Sequence, residues 1–253
     1  MPGTSEPQVS IIVPAYNEAS RLPRSLGMLR EYLCGKGWGS RSYEVLVVVE
    51  HSTDGTLELA REATAEQANF HVIDNRVQRG KGYAVRTGML QARGAVVFYM
   101  DADLSVPLEE VEGFLAHLAA HPEDEVLLGS RQHPGSRIER RQGRMRQTMG
   151  KTFNGILRTL AVLPYRDTQC GFKAFRREAA REIFARTTVD GFAFDVEVLL
   201  LAQGLGYGIR ELPVRWLNSQ ESKVHIVRDS LRMLGDALTV RRRVRRVLGE
   251  RKN

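Results

Sequence analysis

Short apolar runs rich in β-branched residues alternate with longer amphipathic stretches through the first half of this chain. Residues 9–13 form a continuous apolar run, which predicts a buried strand ending at Pro14. Over residues 18–33, Leu22, Leu26, Leu29 and Leu33 share one face of an expected helix. Residues 45–49 predict a second buried strand, and Asp54 is placed to cap a helix through 56–60. Further strands are expected at 70–73, 95–100 and 125–128, with helices at 82–92 and 108–120 between them. Strands apolar on both faces, with helices between them, predict a largely parallel sheet covered on both sides.

After residue 130 the pattern changes. Residues 133–147 are polar and arginine-rich and predict a loop. Helices are expected at 150–163 and 194–203, with a mixed segment at 168–176. One or two strands are expected at 207–216, where Pro213 favours an edge position. From 226 to 248, Leu231, Leu234, Leu238, Val244, Val247 and Leu248 recur at helical spacing with arginines between them. No repeat or low-complexity linker interrupts the 253 residues, which read as one domain. Its expected parts are a first half over 9–130, a second half over 131–224 and a basic amphipathic helix over 225–253.

Composition adds few constraints. The two cysteines, Cys34 and Cys170, have no metal-ligand spacing and suit a reducing compartment. The first residues lack a basic start and an apolar signal core, and no apolar stretch approaches a membrane span, so a cytoplasmic location is expected. The net charge of +7 is concentrated in two places, residues 131–146 and 241–253. Such patches point to anionic partners: phosphates, nucleic acid or a membrane surface. The tail fits a basic helix lying on an anionic membrane, or one packed on the domain with its arginines in water. A nucleic-acid module is disfavoured, because aromatics are few and no recognition motif is present.

The candidate chemistry starts at Asp101-Ala102-Asp103, directly after the expected strand 95–100. The carboxyl edge of an open α/β sheet is where ligands bind. Two hard oxygen donors there suit Mg²⁺ or Mn²⁺, with substrate phosphates completing the shell. Taken alone, the two aspartates also fit a loop that caps the helix after Pro107. Tyr16 and Glu18, just past Pro14, fall at the same edge and suit a nucleobase and ribose. Gly80-Lys81-Gly82 is not a P-loop, because the Gly-x-x-x-x-Gly-Lys-Ser/Thr pattern is absent.

Six segments in order carry a resemblance. Ile11-Ile12-Val13-Pro14-Ala15-Tyr16-Asn17-Glu18, Arg79-Gly80-Lys81-Gly82, Asp101-Ala102-Asp103-Leu104-Ser105 and Gly129-Ser130-Arg131 resemble the family 2 inverting glycosyltransferases of the GT-A fold. Arg166-Asp167-Thr168-Gln169-Cys170-Gly171-Phe172-Lys173 and Gly191-Phe192-Ala193-Phe194-Asp195-Val196-Glu197 resemble the dolichyl- and polyprenyl-phosphate glucosyltransferase branch. The fold implied is a Rossmann-like, mostly parallel sheet flanked by helices, with an acceptor-side region after it. The resemblance implies that Pro14, Tyr16, Glu18, Glu50, Lys81, Asp101, Ala102 and Asp103 line the nucleotide-sugar site. Asp101 and Asp103 would hold Mg²⁺ or Mn²⁺, with Ser105 near the metal. Asp167, Gln169, Lys173, Arg215 and Lys223 fall on the acceptor side, and Asp103, Arg131 and Asp195 are the catalytic candidates. One departure concerns the second strand. The family pattern Asp-Asp-Gly-Ser-x-Asp is replaced by Val49-Glu50-His51-Ser52-Thr53-Asp54, which leaves the nucleotide open.

The implied reaction is displacement at the anomeric carbon with inversion, from UDP-glucose or, next, GDP-mannose. A phosphate acceptor is already largely ionised near neutral pH (second pKa about 6) and needs positioning by arginine and lysine. A soluble hydroxyl acceptor, as in a specialised-metabolite pathway, needs a carboxylate base, for which Asp195 is the candidate.

Overall fold

The computed structural model of the chain describes residues 6–35, 38–139, 155, 163–217 and 239–249. In order come β1 (Val9–Ala15), α1 (Leu22–Cys34), β2 (Tyr43–Val49), α2 (Thr56–Thr64), β3 (Phe70–Asp74), α3 (Lys81–Gln91), β4 (Val96–Met100), α4 (Glu110–Ala120) and β5 (Val126–Ser130). Then follow β6 (Arg137–Ile138), β7 (Phe172–Arg176), α5 (Arg177–Phe184), α6 (Phe194–Leu205), β8 (Ile209–Pro213) and β9 (Arg215–Trp216). A last helix, α7, covers 239–249. Lys223, residues 140–147 of the expected arginine-rich loop and nearly all of the helix expected at 150–163 lie outside the described residues, as does 226–238.

Seven strands form one sheet in the order β3-β2-β1-β4-β7-β5-β8, and β6 pairs with β9 separately. All neighbours run parallel except β7, which lies antiparallel between β4 and β5. Period-2 alternation sorts the strand side chains into two cores. Ile11, Val13, Val45, Val47, Phe98, Leu127 and Phe172 face the layer of α1 and α4. Ile12, Leu46, Val48, Val97, Tyr99, Leu128 and Phe175 face the layer of α3, α5 and α6. In α1, Leu22, Leu26, Leu29 and Leu33 are all buried, as the spacing predicts. Each stabilises the fold by roughly 2 kcal/mol of apolar burial.

The structure departs from the pattern reading at specific points. β1 runs on through Pro14 to Ala15. Its odd-numbered residues face β2, since Glu50 N–H donates to the Ala15 carbonyl, and its even-numbered ones face β4, since Val96 N–H donates to the Gln8 carbonyl. The β4 ladder ends at Ile12, so the missing N–H of Pro14 falls where no partner waits. α1 starts at Leu22 rather than 18, because residues 17–19 are drawn to the β2–α2 loop. Asn17, Glu18 and Ala19 donate their N–H groups to Ser52, Thr56 and Asp54 at 2.8–3.1 Å. The mixed segment at 168–176 becomes β7, and α5 follows it without a break. Pro213 ends β8 at the sheet edge.

The tail also differs from a helix laid in a membrane surface. In α7, Val240 and Val244 are buried in the core shared with α5 and α6. Leu248 packs over Gly204 so closely that a Cβ there would lie 2.0 Å from its Cδ1. The apolar stripe is therefore covered by the domain, and Arg242, Arg245 and Arg246 face solvent. Among the described residues, no helix is long and apolar enough to cross a membrane.

Candidate functional site

The sheet order reverses direction at β1, with β2 on one side and β4 on the other. A crevice opens at the carboxyl ends of strands at such a switch point. Three chain segments leave the sheet there: Ala15–Glu18 after β1, Glu50–Asp54 after β2, and Asp101–Ser105 after β4.

Asp101 extends β4 by one more bond, its N–H donating to the Gly171 carbonyl at 3.0 Å. A Cβ on residue 171 would lie 2.0 Å from Asp101 Oδ2, so only glycine leaves room for that carboxylate. The chain then turns sharply. Leu104 N–H donates back to the Asp101 carbonyl at 3.0 Å, and Leu104 adopts φ 48°, a sparsely populated conformation held by burial of its side chain. Asp103 is braced from the other side by the Ser105 N–H at 3.0 Å, and Ser105 in turn accepts from Leu217 N–H at 2.7 Å. Ser105 thus positions Asp103.

Burial, then the neighbouring Asp101 charge, pushes the Asp103 carboxyl above the usual range. Lys81, at the start of α3, places Nζ 2.6 Å from Asp101 Oδ1. Burial alone would lower its pKa, but Asp101 and Asp195 outweigh that and keep the ammonium charged. Two hard carboxylates, of which Asp101 is paired with Lys81, form a donor set that fits Mg²⁺ or Mn²⁺. Asp101 and Asp103 are the residues that would hold it.

The nucleotide-side candidates gather at the same edge. Pro14 is buried, and Tyr16 and Glu18 are half-buried. Glu18 is tied to Arg21 through both carboxylate oxygens. Glu50 is buried, and its Oε1 accepts the N–H groups of Arg79 and Gly80 at 3.1 and 2.8 Å. That oxygen shapes the loop carrying Lys81, a task the sequence alone did not suggest.

The acceptor-side candidates turn mostly inward. Lys173 pairs in register with Tyr99 across β4–β7, so both point into one core. Its ammonium is fully buried, donating to Asp195 Oδ1 at 2.6 Å and the Cys170 carbonyl at 2.7 Å. Tyr99 also donates to Asp195 Oδ1. Asp195 is 2% exposed at the start of α6, and Glu197 beside it is bound to Thr188 and Val189. The structure thus sets the Lys173 ammonium and the Asp195 carboxylate against each other in the interior, where sequence reasoning expected an acceptor contact and a base. Asp195 is also near enough to Lys81 to help hold its charge. Arg131 forks onto Asp167, with Nε–Oδ2 at 2.7 Å and Nη2–Oδ1 at 2.9 Å. Asp167 Oδ1 also accepts the Gln169 N–H at 3.3 Å. Arg215 bonds Glu110 and Glu109 at 3.0 and 2.9 Å.

Sequence reasoning missed Asp190, whose carboxylate takes Arg79 and Arg86 at 2.6 and 2.7 Å. No local signal marks a pairing across about a hundred positions. Gly171 lies within the Arg166–Lys173 segment, and nothing in the sequence marks it off from the other glycines.

A Rossmann-like sheet with an aspartate pair at its switch point defines a GT-A-type nucleotide-sugar transferase. Residues 10–184 match the glycosyl transferase family 2 profile, and the chain belongs to that family of glycosyltransferases. It is 38% identical to a dolichyl-phosphate beta-glucosyltransferase of Drosophila melanogaster over 86% of this chain and 69% of that protein. It is 35% identical to a dolichyl-phosphate beta-glucosyltransferase of Mus musculus, over 93% and 75%. Among solved structures, glucosyl-3-phosphoglycerate synthase from Mycobacterium tuberculosis, in complex with Mn²⁺, UDP and phosphoglyceric acid, aligns with a TM-score of 0.66 at 17% identity. That alignment covers 94% of this chain and 78% of the synthase. Mannosyl-3-phosphoglycerate synthase from Rubrobacter xylanophilus aligns at 0.68 and 19%, covering 96% and 75%. At these identities the structural likeness speaks for the fold.

Proposed function

We propose that this chain transfers glucose from UDP-glucose to a polyprenyl phosphate, with inversion at the anomeric carbon. The observation that carries the reading is the Asp101–Asp103 pair beside Lys81 at the switch point of the sheet. Glucose and the lipid acceptor are supported by the names of the relatives, and UDP by the ligands of the solved synthase.

In this reading the donor's nucleoside lies along Pro14, Tyr16 and Glu18, and its diphosphate reaches Asp101, Ala102 and Asp103. A divalent cation held there would offset the charge developing on the leaving diphosphate. Lys81 adds a fixed positive charge to the same place, and the Glu50-braced loop keeps it there. An acceptor phosphate oxygen attacks the anomeric carbon as the bond to the UDP oxygen breaks, and both electrons of that bond leave with UDP. The burial of Asp195 favours a phosphate over a hydroxyl acceptor, since an ionised phosphate needs no base. The Arg131–Asp167 fork and Gln169 shape the acceptor side.

The test is transfer of labelled glucose from UDP-glucose to dolichyl phosphate in detergent with Mg²⁺ or Mn²⁺, beside GDP-mannose. We expect UDP-glucose to be used at least tenfold better, and Asp101→Asn and Asp103→Asn each to lose at least a hundredfold in kcat. Full activity in both variants would remove the metal assignment. Preference for GDP-mannose, or transfer only to soluble hydroxyl acceptors, would overturn the substrates.

A further inference from the structure

The end of α4 and the turn into β5 carry a second group of ligating side chains. His117 and His121 are four apart, so their rings project from one side of the helix end, stacked with centroids 4.3 Å apart. Asp124 joins them from the turn, with Oδ2 at 2.7 Å from His117 Nε2. One ligand atom from each of the three lies within 4.8 Å of the others. Tetrahedral Zn²⁺ with bonds of about 2.0–2.2 Å needs its ligand atoms about 3.3 Å apart, which the two imidazoles reach by turning out of their stack toward Asp124.

The backbone of the turn does not depend on these side chains. Arg176 holds it by donating to the carbonyls of Leu118, His121 and Asp124 at 2.7, 3.2 and 3.1 Å. Asp124 N–H donates to the His121 carbonyl at 3.2 Å. The backbone that carries the ligands is thus fixed by Arg176, apart from the contacts among their side chains. Glu123 Oε1 lies 3.3 Å from His121 Nδ1 and suits the outer carboxylate that orients a metal-bound imidazole. His121 is 47% exposed, which gives a cation an entry path. Arg210 is the competing cation, 3.2 Å from Asp124 Oδ2 but itself mostly in water.

We propose that His117, His121 and Asp124 form a second metal site for a borderline cation such as Zn²⁺, distinct from the aspartate pair. Two imidazoles and one carboxylate select Zn²⁺ over Mg²⁺, whereas Asp101 and Asp103 offer oxygen alone. The two sites lie at opposite ends of the sheet. Asp124 precedes β5 and Asp101 follows β4, a strand length of about 17 Å apart. A cation at the second site ties the end of α4 to the start of β5 and plays no part in the transfer chemistry.

The experiment titrates ZnCl₂ into the tag-free full chain by calorimetry, using wild type, Asp101→Asn/Asp103→Asn, and His121→Ala in that double background. His121 is exposed, so its loss spares the fold, which circular dichroism checks. One Zn²⁺ should bind to the double variant, and His121→Ala should weaken it at least tenfold. His121→Ala alone should keep Mg²⁺-supported glucosyl transfer at the wild-type level. Absence of Zn²⁺ binding in the double variant, or binding indifferent to His121→Ala, would overturn the site.

Discussion

Gly171 and Asp101 show how closely the candidate site depends on a single hydrogen atom in place of a methyl group. A methyl at residue 171 meets the Asp101 carboxylate, the movable end of a side chain, so the carboxylate yields rather than the strand. Gly171→Ala is expected to cost at least tenfold in kcat with a small loss of stability, read by transfer kinetics beside urea unfolding. Asp167 presents the opposite case. Burial alone would raise its carboxyl, but the Arg131 guanidinium and its hydrogen bonds hold it below the usual range. A depressed carboxyl contributes stability above its unfolded value of about 4, and that stability is lost as pH falls through the folded value. Asp167→Asn should therefore cost about 3 kcal/mol at neutral pH, the order expected when one partner of a buried pair is removed. It should also flatten the acid side of the stability curve, as denaturant melts between pH 3 and 7 will report. The place of the aspartate pair at the carboxyl end of β4 was legible in the sequence, because the apolar run before it marks a buried strand. The inward turn of Lys173 was not, because it depends on the register Tyr99–Lys173 between strands far apart in the chain.

Among the elements, the strands were the easiest to anticipate. Apolar runs on both faces mark β1, β2 and β4 wherever helices cover both sides of a sheet. Boundaries shifted where a tertiary partner intervened, as at residues 17–19, whose backbone answers to the β2–α2 loop rather than to α1. α7 was recognisable as a helix from its spacing, but what covers its apolar stripe is decided by α6 and by the small residue at 204. Gly204→Val should push Leu248 off this seat. Limited proteolysis should then cleave within 239–249 at least several times faster than in wild type, with the sheet core still protected.

At the scale of the molecule, the arginine face of α7 gives the excess positive charge a direction. Arg242, Arg245 and Arg246 stand in solvent while the opposite stripe is fixed to the domain. Contact with a membrane would then be electrostatic, without insertion, and strongly dependent on salt. Sedimentation with phosphatidylserine vesicles should show binding at 50 mM salt that is lost by 500 mM. Replacing the three arginines with glutamate should weaken it at least tenfold, with little change in activity towards a short-chain acceptor in detergent.

The reversed strand β7 has a consequence for how the chain comes into being. β5 finds its neighbours only in β7 and β8, and Val96 of β4 waits about eighty positions for Arg176. During synthesis, the first 130 residues emerge with β4 open along one edge and β5 without any companion. Open edges of this kind invite pairing with other chains. The edge of β4 therefore stays exposed to such pairing until residues 172–176 are made and β7 closes it.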